Sequence, residues 1–313
     1  MSDATVIVAA WNAEATVARS IASGLSQTGA CAHVVVANDA STDGTAALLE
    51  RMAAEEPRLT AVHLAENGGP GAARNAALDA ASGDWVAVLD ADDTMRPERL
   101  ADMIALAEAE GADLVLGNVL RVDEAGSALG GPFLEEADWP APRALDLAAF
   151  VAGNQARPGV PSLGYLKPLF RRAFLEAHGL RYDPSLRNGE DCHLVFECLA
   201  AGGRLVVSPA ADYFYTVRGG SISSRANPAH MEALIAAGER FLARETDRID
   251  PAARAGFESR HAALTDLMTT EQVMRALKGR RIGEAARLVW HRPRIWRRLA
   301  RQLSEGAKKR AGA

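Results

Sequence analysis

Five short apolar runs, each soon followed by polar or glycine-rich residues, constrain this chain more than any other feature. They are Val6-Ile7-Val8, Val34-Val35-Val36, Leu59 to Leu64, Trp85 to Leu89 and Leu114 to Leu116. The segments between them carry helical periodicity. Val17, Ile21 and Leu25 recur at i, i+4 and i+8 within a helix predicted from about Ala15 to Gln27. The Ser41-Thr42-Asp43-Gly44 cluster turns the chain into a second helix ending near Glu55, Ala72 to Ala81 reads as a third, and Pro97 opens a fourth that reaches Glu110. Strands that are apolar without alternation are buried on both faces. Repeated βα units of this kind predict an α/β fold: a mostly parallel sheet with helices on both faces.

Residues 119–225 are less regular, richer in Gly, Pro and aromatics, and are expected to add strands and loops to the same sheet. From about Pro228 only helices are read, with breaks at Pro251 and Pro293. With 313 residues and 48% hydrophobic content, the chain can build a core that needs no disulfide or metal staple. Cys31, Cys192 and Cys198 are an odd number without C-x-x-C spacing, which argues against a disulfide framework and a zinc site and makes a reducing cytoplasm the default. No run approaches about 18 uninterrupted apolar residues, and nothing before Val6 has the pattern of a leader. The net charge of -5 hides an asymmetry. From Lys278 to Ala313 there are 12 Lys/Arg against 2 Asp/Glu, about +10, which leaves about -15 on the remainder. An acidic body argues against a nucleic-acid partner, whereas the basic tail suits an anionic surface.

In a doubly wound sheet, ligands bind beyond the carboxyl ends of the strands, so the residues just after each apolar run carry the chemistry. They are Ala9-Ala10-Trp11-Asn12, Asn38-Asp39, Asn67-Gly68-Gly69-Pro70-Gly71 and Asp90-Ala91-Asp92-Asp93. The first turn lacks G-x-G-x-x-G, which counts against a dinucleotide oxidoreductase. Asp39 can accept the ring N–H of uracil or guanine, because a carboxylate accepts and cannot donate. An Asx-turn or helix cap is its competing use. The glycine turn, with Arg74 behind it, reads as an anion cradle whose guanidinium forks onto phosphate, or as a structural turn.

Asp90-Ala91-Asp92-Asp93 is the strongest local feature. Three carboxylates in four residues repel one another unless a cation is present. Hard oxygen ligands favour Mg²⁺ or Mn²⁺, with diphosphate oxygens completing the shell. The structural alternative is an acidic cap for the helix near Pro97. A second cluster, Arg187-Asn188-Gly189-Glu190-Asp191, precedes the helical run Cys192 to Ala201. A carboxylate there can take a proton from an attacking hydroxyl, or simply face the helix macrodipole. His193 reads as a neighbour on that helix. Tyr215 to Arg218, continuing into Gly219-Gly220-Ser221-Ile222-Ser223, ends a strand in a donor-rich loop able to close over diphosphate or acceptor; a surface turn competes with that use.

Together these segments resemble glycosyltransferase family 2, whose members share the GT-A fold, over residues 5 to about 225. Val8 to Asn12 stands where that family has an apolar strand ending in P-x-Y-N; here Ala9 replaces the proline and Trp11 the tyrosine, and Asn12 matches. Asn38 to Thr45 matches its D-x-S-x-D-G-T segment, and Asn67 to Asn75 its N-x-G-x-x-x-A-R-N-like turn and helix. Leu89 to Asp93 matches its D-x-D-type site and Glu190-Asp191 its E-D pair. The resemblance implies a GT-A (Rossmann-like) sheet divided into a nucleotide-sugar-binding half over 1–118 and an acceptor-side half over 119–225. A C-terminal helical region with a basic tail follows over 226–313. It also implies a donor site of Ala9, Trp11, Asn12, Asp39, Arg74, Asp90, Asp92 and Asp93, with Asp39 on the base. Metal contact falls to Asp92, then Asp93, and Asp191 becomes the general base beside Glu190. Arg218, Ser221 and Ser223 resemble the segment that closes over diphosphate or acceptor.

The activity implied is inverting, Mg²⁺- or Mn²⁺-dependent transfer of one sugar from a nucleotide-sugar donor to a hydroxyl of a saccharide or lipid-linked saccharide, in polysaccharide or glycolipid assembly. Gln272-Val273-Met274-Arg275-Ala276 lacks the tryptophan of the Q-x-x-R-W motif found in the family's processive synthases. From Arg280 to Arg310, Ile282, Leu288, Val289, Trp290, Ile295, Trp296, Leu299 and Leu303 mix with arginines. Such a tail either lies on an anionic membrane surface or packs on the core with a solvated basic face. The expected location is cytoplasmic, peripheral on the inner face of the membrane. Competing functions are a polyprenyl-phosphate sugar transferase, a nucleotidyltransferase and a non-catalytic nucleotide-sugar-binding protein.

Overall fold

The computed structural model describes residues 3–156, 162–218, 227–246, 248–296 and 298–300. The apolar runs become β1 (Asp3–Ala10), β2 (Cys31–Asn38), β3 (Leu59–His63), β4 (Trp85–Asp90) and β6 (Leu114–Val122), with a two-residue β5 (Thr94–Met95) between the last two. The periodic segments become α1 (Val17–Leu25), α2 (Thr45–Glu55), α3 (Pro70–Asp79) and α4 (Arg99–Glu110). In β1 the side chains alternate between two cores, yet Val6, Ile7 and Val8 are all fully buried. Ile7 packs with Ala73 and Ala77 of α3, while Val6 and Val8 pack with residues of α1, α2 and α4. Both faces are therefore covered, as the unbroken apolar run requires.

The middle of the chain supplies β7 (Ala128–Pro132), β8 (Arg143–Leu145), α5 (Leu147–Ala152), β9 (Lys167–Arg171), α6 (Arg172–Ala177), α7 (Glu190–Ala200) and β10 (Leu205–Thr216). All join one ten-stranded sheet in the order β3-β2-β1-β4-β9-β6-β10-β5, with β7 beside β6 and β8 beside β10. Pairing is parallel among β3, β2, β1 and β4, and again between β6 and β10. Strand β9 sits between these two groups and runs against both neighbours. This inversion has one consequence for the site. The carboxyl end of β4 and the first residue of β9, Lys167, fall at the same edge. The strand order reverses at β1, which places the ligand crevice of a doubly wound sheet beyond the ends of β1 and β4.

The C-terminal part is helical: α8 (Pro228–Arg244), α9 (Pro251–Lys278), α10 (Ile282–His291) and a 3-10 turn at Pro293–Ile295. Pro251 occupies the first turn of α9, where a missing N–H costs nothing, and Asp250 caps it by accepting from the amides of Ala252 and Ala253 at 2.9 Å each. Phe241 of α8 and Phe257 of α9 pack on Phe196 of α7 with centroids 6.4 and 4.9 Å away, so these helices belong to the main core. A small separate core of Val273, Ala276, Ala285, Ile295 and Leu299 joins α10 and the 3-10 turn to α9. Among the described residues, no helix is long and apolar enough to cross a membrane.

One buried cation locks the sheet to α4. Arg99 is 2% exposed, ion-pairs with Asp212 of β10, donates to the carbonyl oxygen of Lys167 at 3.0 Å and lies 5.3 Å from the Tyr213 ring centroid. Asp212→Ala would strand that guanidinium without its counter-charge, at an expected cost of about 3–5 kcal/mol. Urea denaturation measures it, and a loss below about 1 kcal/mol would show that the pair does not carry this strand.

Candidate active site

The turn after β3 is built on Asp39, the residue just past β2. Its carboxylate accepts from the amides of Gly68 at 2.7 Å and Gly69 at 2.8 Å, and its carbonyl accepts from the Asn67 side chain at 3.1 Å. Gly69 has φ 87°, and a Cβ there would lie 2.7 Å from the Arg187 side chain, so both backbone and space demand glycine. Arg187 donates to Asn67 Oδ1 at 2.6 Å and spans the turn. Asp39 thus anchors a turn about thirty residues further along the chain, rather than forming a local Asx-turn or helix cap. A carboxylate has roughly four lone-pair directions, so two amides leave capacity for a base N–H. The β1 and β2 turns are clasped alongside. Asn12 Oδ1 accepts from the Thr42 amide at 2.8 Å, the Asn12 amide donates to Ser41 Oγ at 2.9 Å, and Glu14 accepts from the Gly44 amide at 3.0 Å. Trp11 stays 52% exposed on this rim, just past Ala9 and Ala10.

The centre of the site is Arg74. Its guanidinium is 4% exposed and bonds Asp90 Oδ1 at 2.6 Å and Glu190 Oε1, with Asp191 Oδ1 at 3.3 Å. Three carboxylates surround the cation, so it organises the site. Its placement is fixed by Asn75, which exchanges hydrogen bonds with the backbone of Tyr182 at 2.9 Å in both directions and sets that ring 5.6 Å from the guanidinium carbon.

Opposite Arg74 stands Lys167, which the sequence analysis did not identify. It is 8% exposed, with Nζ 2.5 Å from Asp90 Oδ2 and 3.7 Å from Asp191 Oδ2. Burial opposes the charge on Asp90, but Lys167 and Arg74 outweigh it and draw its pKa down to about 2. Burial likewise opposes the charge on Lys167, and Asp90 and Asp191 outweigh it and push its pKa up. Glu190 is raised chiefly by burial, with Arg74 pulling the other way.

The acidic run divides by environment. Asp93 is 1% exposed, and its oxygens accept from Thr216 N at 2.7 Å and from the Tyr213 hydroxyl at 2.9 Å. Burial and the Asp90 charge raise its pKa strongly. Through these bonds Asp93 ties the end of β4 to β10. Asp92 is half-buried, its pKa raised by burial and by Asp90 and relieved by Arg218, so a cation placed there would lower the cost of its charge. The described residues contain no group of three or more His, Cys, Asp or Glu poised to hold an ion. Ser221 and Ser223 lie outside the described residues. His193 packs edge-on against Phe241 and points to Glu197 at 3.4 Å, away from this chemistry.

The α/β sheet gathers its polar side chains at the switch-point edge, where ligands of doubly wound sheets bind. Residues 5–136 match the model of glycosyl transferase family 2. The succinoglycan biosynthesis protein ExoO of Rhizobium meliloti is 45% identical over 242 residues, covering 77% of this chain and 68% of that protein. This chain belongs to glycosyl transferase family 2. Among solved structures, S. aureus TarS 1-349 in complex with UDP-GlcNAc superimposes with a TM-score of 0.63 at 19% identity, covering 93% of this chain and 92% of that one. The mannosyltransferase PcManGT from Pyrobaculum calidifontis, in complex with GDP-Man and Mn2+, gives 0.59 at 20%, covering 98% and 86%. At such identities the likeness is one of fold.

The Asp90 pairing predicts a specific acid sensitivity. A carboxyl depressed in the folded state stabilises the fold above its unfolded pKa and loses that contribution as pH falls through the folded value. Asp90, moving from 3.8 to about 2, contributes on the order of 2 kcal/mol at pH 7. The stability gap between wild type and Asp90→Asn, measured in urea, should therefore be present at pH 7 and shrink between about pH 4 and pH 2. A gap of constant size across that range would mean that Asp90 is not held in this way.

Proposed function

We propose that this chain transfers a single sugar, with inversion, from a nucleotide-sugar donor to a hydroxyl of a saccharide or lipid-linked saccharide in polysaccharide or glycolipid assembly. One observation carries the proposal: Arg74 and Lys167 bring Asp90, Glu190 and Asp191 together at the sheet edge that also bears Asp39 and Asp92. The ExoO relative, named for succinoglycan biosynthesis, and the fold likeness to proteins solved with UDP-GlcNAc and GDP-Man support the substrate class.

Asp39, with the turn it anchors, receives the base, and Ala9, Trp11 and Asn12 line the same rim. Asp191 takes the proton of the attacking hydroxyl, whereas the Glu190 carboxylate is hydrogen-bonded to Arg74. Asp90, held by two cations, is a weak nucleophile, which favours one in-line displacement over a covalent sugar-enzyme intermediate. Asp92 fits a hard divalent ion, Mg²⁺ or Mn²⁺, because such ions bind through one or two carboxylates and take phosphate oxygens and water for the rest. When bound, that ion supplies Lewis-acid stabilisation of the departing diphosphate. Arg218, whose charge already acts on Asp92, closes over the diphosphate with Ser221 and Ser223.

The C-terminal helices are proposed to dock on an anionic membrane surface. Ile295 and Leu299 pack inward, but Ile282, Trp290 and Trp296 remain 70%, 84% and 63% exposed among Arg280, Arg281, Arg287 and Arg294. Exposed tryptophan with arginine suits the headgroup boundary.

Two measurements test these assignments. With Mg²⁺ or Mn²⁺, the wild type should release nucleoside diphosphate from one member of a UDP- and GDP-sugar panel. Asp191→Asn should lower acceptor-dependent turnover by about 10²-fold or more. Pyrophosphate release from a nucleoside triphosphate would instead indicate a nucleotidyltransferase. Replacing Trp290 and Trp296 together by Ala should weaken sedimentation with phosphatidylglycerol vesicles at least about tenfold; equal binding would reject the docking surface.

A further inference from the structure

Lys167 helps gather the carboxylates of the site but has been given no part in the transfer itself, although it is buried among them. It begins β9, the strand that runs against its neighbours, and reaches the edge from the side opposite α3. The packing of that strand is supplied by Leu169 and Phe170, which are 0% and 1% exposed. An ammonium is therefore not needed to hold β9 in the sheet, and burying one is costly unless it is paired. Its pairs are two carboxylates with different tasks: Asp90 on the donor side at 2.5 Å and Asp191, the proposed base, at 3.7 Å.

The two distances differ in kind. At 2.5 Å Lys167 is hydrogen-bonded to Asp90 and fixes its orientation together with Arg74. At 3.7 Å it attracts Asp191 without capping it, since a hydrogen bond of this type spans about 2.7–3.2 Å. Asp191 is thus drawn toward Lys167 while a position is left for an incoming hydroxyl. The other groups facing Asp191 are Arg74 from α3, Glu190 from its own helix and the Tyr182 ring from the preceding loop. With Lys167 and Arg74 present, three carboxylates share two cations. Without Lys167 they would share one.

We propose that Lys167 is a positioning residue of sugar transfer, acting through Asp90 and Asp191 to hold the donor-side and base carboxylates in register. The proposal rests on the transferase function described above. In the reaction itself the acceptor O–H bond breaks and its proton passes to Asp191. The acceptor oxygen bonds to the anomeric carbon, and the bond from that carbon to the diphosphate oxygen breaks with its electron pair leaving on the diphosphate. Lys167 keeps its proton throughout and touches no reacting atom.

The test compares Lys167→Met and Lys167→Arg with wild type in the full chain, recording kcat, both KM values and the pH dependence of kcat/KM. Lys167→Met should lower kcat about 10²-fold. It should also move the acid limb of the profile upward by about one pH unit, because loss of a neighbouring cation lets the base protonate at higher pH. Lys167→Arg, which keeps the charge, should leave the limb within a few tenths of wild type and recover at least about tenfold of the loss. If the methionine variant does not fold by circular dichroism, Lys167→Gln, which can still bond Asp90, serves the same comparison. A neutral variant with kcat within about threefold of wild type and an unmoved limb would overturn the role. So would an equal loss in the neutral and arginine variants with no change in the pH profile. Wild type inactive on every donor would instead end the transferase function itself, an outcome that no working wild type can be confused with.

Discussion

The guanidinium of Arg74, almost fully buried among Asp90, Glu190 and Asp191, is the contact on which the site depends. It joins a strand end in the first third of the chain to the start of a helix in the last half. With Lys167 it supplies the counter-charge for these carboxylates, since burying like charges together is costly unless a counter-ion is shared. Arg74 is in turn set by α3, whose entry depends on Gly69 and on the grip of Asp39 on the turn before it. The Asp39 turn and the carboxylates around Arg74 therefore rest on one continuous piece of structure. A disturbance at the glycine turn should be felt at the carboxylates, because α3 carries both.

The neighbouring residues have unequal duties that their similarity conceals. Asp90, Asp92 and Asp93 are adjacent, yet one is ion-paired to two cations, one is half-buried beside Arg218, and one is a buried brace between β4 and β10. Environment rather than residue type decides which carboxylate is open to an ion. The same holds for the arginines. Arg74 and Arg99 are buried counter-ions, whereas Arg187 lies exposed across the donor turn.

Much of this was legible in the sequence because the first 118 residues obey simple periods. The unbroken valine runs gave buried parallel strands, and Asp39 and Asp90 stand just after two of them at one edge of the sheet, whereas the Glu190-Asp191 pair was read from its place at the start of a helix. Lys167 was missed for a physical reason: the rule that points beyond strand ends assumes parallel strands, and Lys167 opens an antiparallel one. Nothing in Lys167-Pro168-Leu169-Phe170-Arg171 announces its direction. The carboxylate partners of Arg74 were not legible, because phosphate and carboxylate attract a guanidinium equally and sequence does not report burial. The brace from Asp93 was hidden for the same reason, its partner Tyr213 lying 120 residues away. In the tail, Ile295 and Leu299 turned inward and Trp290 and Trp296 outward, a division that helical spacing alone left open.

Strand β9 also dictates when the molecule can be completed. It separates β4 from β6 in the sheet, so these two early strands cannot pair with each other while the chain is being made. As the chain leaves the ribosome, β1 to β4 can zip together at once, but β6 must wait with an open edge until residues 167–171 emerge. The lysine that bridges the carboxylates arrives on that same late strand. The strand that fills the gap between β4 and β6 is thus the one that carries Lys167 to its carboxylates.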